Sequence, residues 1–148
     1  MDLSGMPKVE VEDNSITNNG FYPDLSTAEL ISDYGVSPEY QQASINQLTL
    51  AMHQINRELS AFAELHWHSV SRLKDLPYGE TLSLFYKKAV YSLAKATLLV
   101  SRLGESHRDK GAAQQVQAVD NEQFWRIECK SAMQYLMAES GYLSVSLL

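Results

Sequence analysis

The chain has 148 residues, of which 45% are hydrophobic and 20% charged, and its formal net charge is −6. This length predicts one domain with a buried core, and the acidic balance argues against a protein whose main task is gripping nucleic-acid phosphates. One cysteine excludes an internal disulfide framework. Near its start the sequence has no basic segment followed by an apolar run, and it has no eighteen-residue apolar stretch, so we expect neither a signal peptide nor a membrane span.

The first nineteen residues are polar and acidic, and they include Gly5, Pro7 and the adjacent Asn18 and Asn19. Their small apolar surface cannot offset the entropy lost on ordering them. We therefore predict a flexible arm over residues 1–19, a helical domain over residues 20–140 and an extended apolar tail over residues 141–148.

Two helices are predicted in the first half of the domain. Ser26 and Glu29 have the spacing of a capping box, and Gly35 can end a helix in the left-handed conformation, which together predict a helix over residues 26–34. Ser37 as N-cap and Pro38 at the first helical position predict a second helix that runs to about residue 65. Spacings of three and four residues give this helix one apolar face, made of Ile45, Leu48, Met52, Ile55, Leu59 and Phe62.

A loop is predicted over residues 67–80, where the periodicity fades and Pro77 and Gly79 interrupt any helix. A third helix is predicted over residues 82–103. Because its apolar residues cover more than half of its circumference, we expect this helix to form the centre of the bundle. These residues are Leu82, Phe85, Tyr86, Ala89, Val90, Leu93, Ala96, Thr97 and Val100.

The rest of the third helix forms a narrow basic edge, which contains Lys88, Ser92, Lys95 and Arg102. Such an edge can be a solvated helix surface, or it can face nucleic acid or an acidic partner. The nearby aromatic residues have core spacing and do not form a platform on which bases could stack.

A polar loop over residues 104–111 precedes a fourth predicted helix over residues 112–140, which Gly141 ends. Trp125, Cys129, Ala132 and Leu136 recur every three or four residues and indicate its inner face. The chain is therefore predicted to be all-α, with a four-helix bundle-like fold.

The tail alternates apolar residues with serine. Its apolar members are Tyr142, Leu143, Val145, Leu147 and Leu148. A period of two indicates an extended segment, and exposing these side chains is unfavourable for a soluble monomer. The tail can fold back onto its own bundle, or it can add a strand to the exposed sheet edge of a neighbour.

Catalytic and metal-binding patterns are missing from the sequence. The histidines, which are His53, His66, His68 and His107, do not have a spacing that brings three or four ligands together. Cys129 lies on the apolar side of the fourth helix, as a small core residue would. Since the sequence also has no glycine-rich phosphate loop, nucleophile elbow or paired-carboxylate motif, we expect no enzyme activity, no metal and no cofactor.

Three segments of the domain carry more specific patterns. The first is "NGFYPDLS", which contains Gly20, Phe21, Tyr22, Pro23 and Asp24. The second is "AMHQINREL", over residues 51–59. The third, over residues 86–98, is the most specific and contains Tyr86, Lys87, Lys88, Tyr91, Leu93 and Lys95. Together with the apolar ending "SVSLL", these segments resemble the head completion proteins (GPL family) of contractile-tailed bacteriophages.

The resemblance covers about residues 19–148 and is weakest in two loops. The loop after the third helix lacks the Asp-Thr-Thr run of the family, and residues 67–80 match only loosely, through "LKDLP".

The resemblance implies a structural adaptor and no catalysis. Proteins of this kind bind the portal vertex after DNA packaging and form a dodecameric ring that extends the DNA channel and helps retain the genome. The ring offers a docking surface to the tail, or to tail-completion and neck proteins. We further hypothesise that residues 141–148 reach the portal protein or a neighbouring subunit and pair there as a strand, and that DNA passes without sequence-specific contact. We expect no membrane partner. The implied location is the virion, with host cytoplasm during assembly.

Two other classes of protein fit the same helices. A small cytoplasmic helical regulator or chaperone-like module would use its amphipathic helices to hold a partner peptide. A helical metalloenzyme would bind stoichiometric metal. Portal, scaffold, capsid and terminase genes beside this one would favour the adaptor.

Overall fold

The computed structural model describes residues 12–106 and 112–140, with side chains for residues 12–101 and 122–140. In that part of the chain the helices are α1 (Thr27–Tyr34), α2 (Gln41–His66), α3 (Gly79–Ser106) and α4 (Ala112–Glu139). Short 3-10 turns at Pro38–Tyr40 and Leu73–Asp75 precede α2 and α3. The prediction of a mostly all-α, bundle-like fold is confirmed, with one small sheet in addition.

Helix α3 is the centre of the fold, since it packs against α1, α2 and α4. Its buried residues are Leu82, Tyr86, Ala89, Val90, Tyr91, Ser92, Leu93, Ala94, Ala96 and Leu98. The apolar face of α2 meets it through the buried Leu48, Met52, Ile55 and Leu59. The prediction of a central third helix is confirmed, although Val100 is 44% exposed and does not belong to the buried face.

Helix α1 begins and ends as its sequence predicts. The hydroxyl of Ser26 accepts a hydrogen bond from the backbone N–H of Glu29 at 3.2 Å, which satisfies one of the free donors of the first turn. Gly35 follows the helix in the left-handed conformation, with φ 65°. A glycine adopts this conformation without the Cβ clash that other residues suffer.

The predicted flexible arm is wrong for residues 12–19. Ser15–Ile16 forms strand β1 and pairs antiparallel with strand β2, Leu25–Ser26. The side chain of Ile16 is buried, and the side chain of Asn18 hydrogen-bonds to two helices. Local composition did not reveal this order because the partners lie far along the chain. Residues 1–11 lie outside the described residues.

Three other predicted boundaries differ from the structure. Ser37 makes no side-chain cap, and residues after it form a 3-10 turn, so α2 begins at Gln41. Helix α3 begins at Gly79, three residues early, and continues through Gly104 to Ser106, where a loop was predicted. Helix α4 ends at Glu139, close to its predicted end. The remaining residues of that loop, 107–111, and the tail 141–148 lie outside the described residues.

The connection between α2 and α3 is ordered by buried side chains and a tight turn. Trp67 and Leu73 are buried, and the N–H of Leu73 donates to the carbonyl of Phe21 at 3.0 Å. At the start of α3, a Cβ on Gly79 would lie 2.0 Å from the carbonyl oxygen of Lys74, so only glycine fits. The residue before it, Tyr78, has φ 59°, an uncommon conformation for a side chain of this size.

Candidate functional site

The three segments that resemble one family meet around the middle of α3. The second and third segments are joined to Asn18, the residue immediately before the first, by a closed set of hydrogen bonds, which we call the Asn18–Asn56–Tyr86 triangle. Nδ2 of Asn18 donates to the hydroxyl of Tyr86 at 2.8 Å, and that hydroxyl donates to Oδ1 of Asn56 at 2.5 Å. Nδ2 of Asn56 then donates to Oδ1 of Asn18 at 2.9 Å. The triangle ties the segment before α1 to both α2 and α3.

The first family segment is a tight loop whose aromatic residues cover the triangle. Oδ1 of Asn19 accepts from the backbone N–H groups of Phe21 and Tyr22 at 3.0 and 3.2 Å, and Gly20 has φ 89°. The ring of Tyr22 stacks on that of Tyr86, with centroids 4.4 Å apart and planes inclined by 4°. Aromatic stacking of this kind stabilises the pair beyond its buried area.

The two ends of this loop are also fixed. The carboxylate of Asp24 accepts from the backbone N–H of Asn18 at 2.8 Å, and the carbonyl of Pro23 accepts from the side-chain amide of Asn18 at 2.8 Å. Asn18 is therefore the residue that holds the loop against the bundle. The sequence alone did not identify it, because an asparagine beside another asparagine has no periodic signal.

Tyr91 attaches α1 to α3 one helical turn further along. Its hydroxyl accepts from the backbone N–H of Ser26 at 2.9 Å and donates to the carboxylate of Glu29 at 2.9 Å. Lys87 lies on the other oxygen of Glu29, at 3.4 Å. Glu29 therefore accepts from two groups of α3 and does not close the predicted capping box, because the backbone N–H of Ser26 bonds to Tyr91 instead.

The other two lysines of the third family segment also bind neighbouring helices. Nζ of Lys95 donates to the carbonyl of Gly35 at 3.0 Å, at the C-terminal end of α1 where cations are favoured. Nζ of Lys88 lies 3.1 Å from a carboxylate oxygen of Glu128 on α4. Ser92 is wrongly placed in the predicted basic edge, because it is fully buried. The side chain of Arg102 lies outside the described residues.

The described side chains include neither a reactive Cys129 thiol nor a group of metal ligands. Burial raises the pKa of the Cys129 thiol to about 11, so it stays protonated at neutral pH and is a poor nucleophile. Where the structure describes side chains, it brings no group of three histidine, cysteine or carboxylate residues together in a way that could hold a metal ion. The helices of the described ranges include none with the length and apolar character needed to cross a bilayer.

Burial also raises the pKa of the tyrosines around α3. The pKa of Tyr22 is raised to about 12, and the pKa values of Tyr86 and Tyr91 are raised further, in each case mainly because burial disfavours the phenolate. These hydroxyls are therefore kept neutral, and they act here as hydrogen-bonding groups.

We expect the protein to lose stability at alkaline pH. Below about pH 8 the buried tyrosines and Cys129 are mostly neutral in both states, so they add little pH dependence. Above the ordinary pKa of each group only the unfolded chain ionises, until the raised pKa is reached. Each group then lowers the free energy of unfolding by about 1.4 kcal/mol per pH unit.

Denaturant titrations between pH 8 and pH 11 would measure this loss. Tyr22→Phe keeps the stacked ring and removes one ionising group, so its stability should fall less steeply above pH 10 than that of the unaltered chain. An equal slope in both proteins would contradict the assignment of Tyr22.

Helix α4 carries a second apolar face that the sequence reading missed. Trp125, Cys129, Ala132 and Leu136 were predicted as its inner face, and the last three are buried. Phe124, Ile127 and Tyr135 lie on a different side of the helix and are 51%, 59% and 58% exposed; we call them the outer face of α4. Their spacing of three and eight residues was the signal in the sequence.

The outer face of α4 extends onto α3. The ring of Tyr135 stacks with that of Phe85, with centroids 5.5 Å apart. Among the described residues this is the apolar surface best suited to a protein partner, because large apolar groups are clustered and exposed on rigid helices.

Comparison with known proteins gives one match. A family model described as phage head completion protein (GPL) matches residues 16–145. Neither the curated proteins nor the solved structures include a match to the chain.

Proposed function

Because the chain belongs to the phage head completion protein (GPL) family, a family of phage structural proteins, we propose that it acts as a head–tail adaptor. It would bind the portal vertex after DNA packaging, form a ring that extends the DNA channel, help retain the genome and offer a docking surface to tail, tail-completion or neck proteins. The observation that carries the proposal is the family match over nearly the whole described domain.

The packing of the family segments supports this role. The Asn18–Asn56–Tyr86 triangle and Tyr91 lie inside the domain, where they fix the shape of the subunit. The outer face of α4 remains exposed on a rigid bundle. A ring needs a heterologous contact in which one surface of each subunit meets a different surface of the next. We propose that the outer face of α4 is one of these surfaces and that α2 supplies the other.

The surface of α2 that faces away from α3 has apolar residues of its own. Leu50 and Leu65 are 62% and 70% exposed, and they lie fifteen residues apart on one side of the helix. Burying them against the outer face of α4 would remove apolar area from water on both subunits. We propose twelve copies in the ring, as in adaptors of this kind.

The charges of the chain fit a channel through which DNA slides. The formal net charge is −6, and Lys87, Lys88 and Lys95 are engaged with groups of the same chain. These three lysines are therefore less available for tight contacts with phosphates. We propose that the packaged DNA passes without sequence-specific contact. The proposed location is the head–tail interface of the virion, with host cytoplasm as the site of assembly.

A charge on the outer face of α4 is expected to block assembly. Placing Glu at position 127 would bury an uncompensated carboxylate in each subunit contact, at about 3–5 kcal/mol, which weakens the contact by roughly a hundred- to a thousandfold or more. The measurement is the number of infectious particles when the variant is supplied to a phage that lacks the chain. We expect Ile127→Glu to give no more infectious particles than the phage that lacks the chain.

The matched control is Ser32→Glu, which adds the same charge to an exposed position on α1, outside both proposed contact surfaces. Circular dichroism should show unaltered helix content for both variants. Normal particle numbers with Ile127→Glu would exclude the outer face of α4 from the ring contact. The adaptor role itself would fail if particles formed normally without the chain.

A further inference from the structure

A groove lies beside the last turn of α4, where the described part of the chain ends. It is lined mainly by apolar residues, and Glu139 and Ser140 at the end of α4 complete the lining; the apolar residues are Trp67, Leu76, Pro77, Tyr78 and Leu82. Its volume of about 280 Å³ is below the roughly 300–1,000 Å³ of typical small-molecule sites. The groove is therefore suited to one or two apolar side chains of a peptide.

The wall of this groove holds a strained aromatic residue. Pro77 and Tyr78 form the centre of a turn that is closed by the N–H of Gly79 on the carbonyl of Leu76 at 2.9 Å. The second central position has φ 59°, where glycine or asparagine is usual. Here it carries a tyrosine that is 73% exposed. Strain that presents an exposed aromatic ring at a groove points to a binding role for that ring.

The chain leaves α4 inside this groove. Nε1 of Trp67 donates to the hydroxyl of Ser140 at 3.1 Å, and that hydroxyl donates to the carbonyl of Leu136 at 2.9 Å. Trp67 is 1% exposed and forms the floor of the groove. Ser140 is thus fixed against the groove, and the residues that follow it begin within reach of its apolar wall.

We propose that this groove binds the segment 141–148 of the same chain, with Tyr142 and Leu143 as the side chains that fill it. These are the second and third residues after Ser140, and three extended residues span roughly 10 Å. The tether gives the segment an effective concentration in the millimolar range, which favours the chain's own segment over that of another copy. The ring of Tyr78 covers the bound side chains.

This docking shields the apolar segment in the free protein. A portal or neighbouring subunit that binds residues 141–148 competes with the groove for the same side chains. The free chain therefore exposes its most apolar segment only when a partner draws it out. The docking itself is a property of the isolated chain and stands apart from the proposed role in the virion.

Nuclear Overhauser contacts to Trp67 test the proposal. In the isolated, isotope-labelled chain, the methyl groups of Leu143 are expected to give cross-peaks to the indole ring protons of Trp67, which require the protons to be in near contact. A tail that is tethered at Ser140 but not docked gives no such cross-peaks. The ring of Trp125, fifteen residues before Ser140 in the sequence, is the internal reference and should show none.

Two controls decide which molecule and which residues are responsible. Tyr142→Asp should remove the cross-peaks between Leu143 and Trp67, whereas Ser146→Asp should not. In an equal mixture of isotope-labelled and unlabelled chains, isotope-filtered spectra should show no such cross-peaks between different molecules. Cross-peaks between molecules, cross-peaks that survive Tyr142→Asp, or no cross-peaks in the unaltered chain would each overturn the proposal.

Discussion

Replacing Tyr86 by alanine is expected to lower the free energy of unfolding by about 3–5 kcal/mol, the range for removing a large buried aromatic side chain. Tyr86 is fully buried, stacks against Tyr22 and supplies the central hydroxyl of the Asn18–Asn56–Tyr86 triangle. The substitution leaves a cavity in the middle of α3 and removes a partner from both asparagines. Denaturant unfolding of the purified chain measures the effect.

Tyr86→Phe separates the hydrogen bonds from the packing. It keeps the stacked ring and removes only the hydroxyl, so we expect a loss of about 1–2 kcal/mol. Tyr135→Phe is the matched control, because Tyr135 is 58% exposed and its ring stacks without burial; its loss should stay within about 0.5 kcal/mol. If Tyr86→Phe behaved like this control, the triangle would contribute nothing measurable to stability.

A double-substitution cycle shows whether the triangle acts as a unit. Asn18→Ala and Tyr86→Phe both break the hydrogen bond between Nδ2 of Asn18 and the hydroxyl of Tyr86. Their combined effect is therefore expected to be smaller than the sum of the two, by about 0.5–3 kcal/mol. Additive effects would mean that Asn18 stabilises the loop only through its contacts with Pro23 and Asp24.

Helix ends were predicted correctly where they depend on contacts within a single helical turn. Ser26 caps α1 because its hydroxyl reaches the N–H three residues on, within the same turn. Ser37 has the same side chain and the same predicted role, but the N–H of Tyr40 bonds to the backbone carbonyl of Ser37 and closes a 3-10 turn. The sequence pattern did not distinguish these two outcomes, because both begin with a serine before a helical segment.

Contacts between distant residues set the limits of the sequence reading. Asn18 looked like part of a flexible arm because its partners, Asn56 and Tyr86, lie 38 and 68 residues away. The lysines of α3 looked like a basic edge because the groups they bind lie on α1 and α4. The family segments could be found in the sequence, but their role as the internal joint of the domain required the fold.

The surfaces proposed to bind partners also differ in how far the sequence predicts them. The outer face of α4 could have been predicted from the spacing of Phe124, Ile127 and Tyr135. It was missed because the inner face of the same helix already accounted for an apolar pattern. The groove beside Ser140 had no sequence signal, since its wall joins residues 67–82 to the end of α4. The apolar tail 141–148 was evident in the sequence and stays a prediction.

Deleting residues 141–148 is expected to abolish incorporation of the chain into phage heads and to reduce infectious particles to the level of a phage that lacks the chain. The deletion removes five apolar side chains, and it removes the backbone that a portal or neighbouring sheet edge would pair with. Helix content should not change, because α4 ends at Glu139. Circular dichroism of the purified chain and counts of infectious particles measure the two effects.

A chain in which the apolar tail residues are replaced by serine separates composition from length. It keeps the backbone and the eight-residue span, so backbone pairing alone could still occur; we expect it to fail in the same way as the deletion, because side-chain burial supplies most of the driving force. Ser144→Thr together with Ser146→Thr should assemble normally, since strand pairing tolerates threonine well. Normal incorporation of the deleted chain would exclude the tail as a portal or neighbour contact, and it would leave the proposed docking of the tail in its own groove, which is measured on the isolated full chain, untouched.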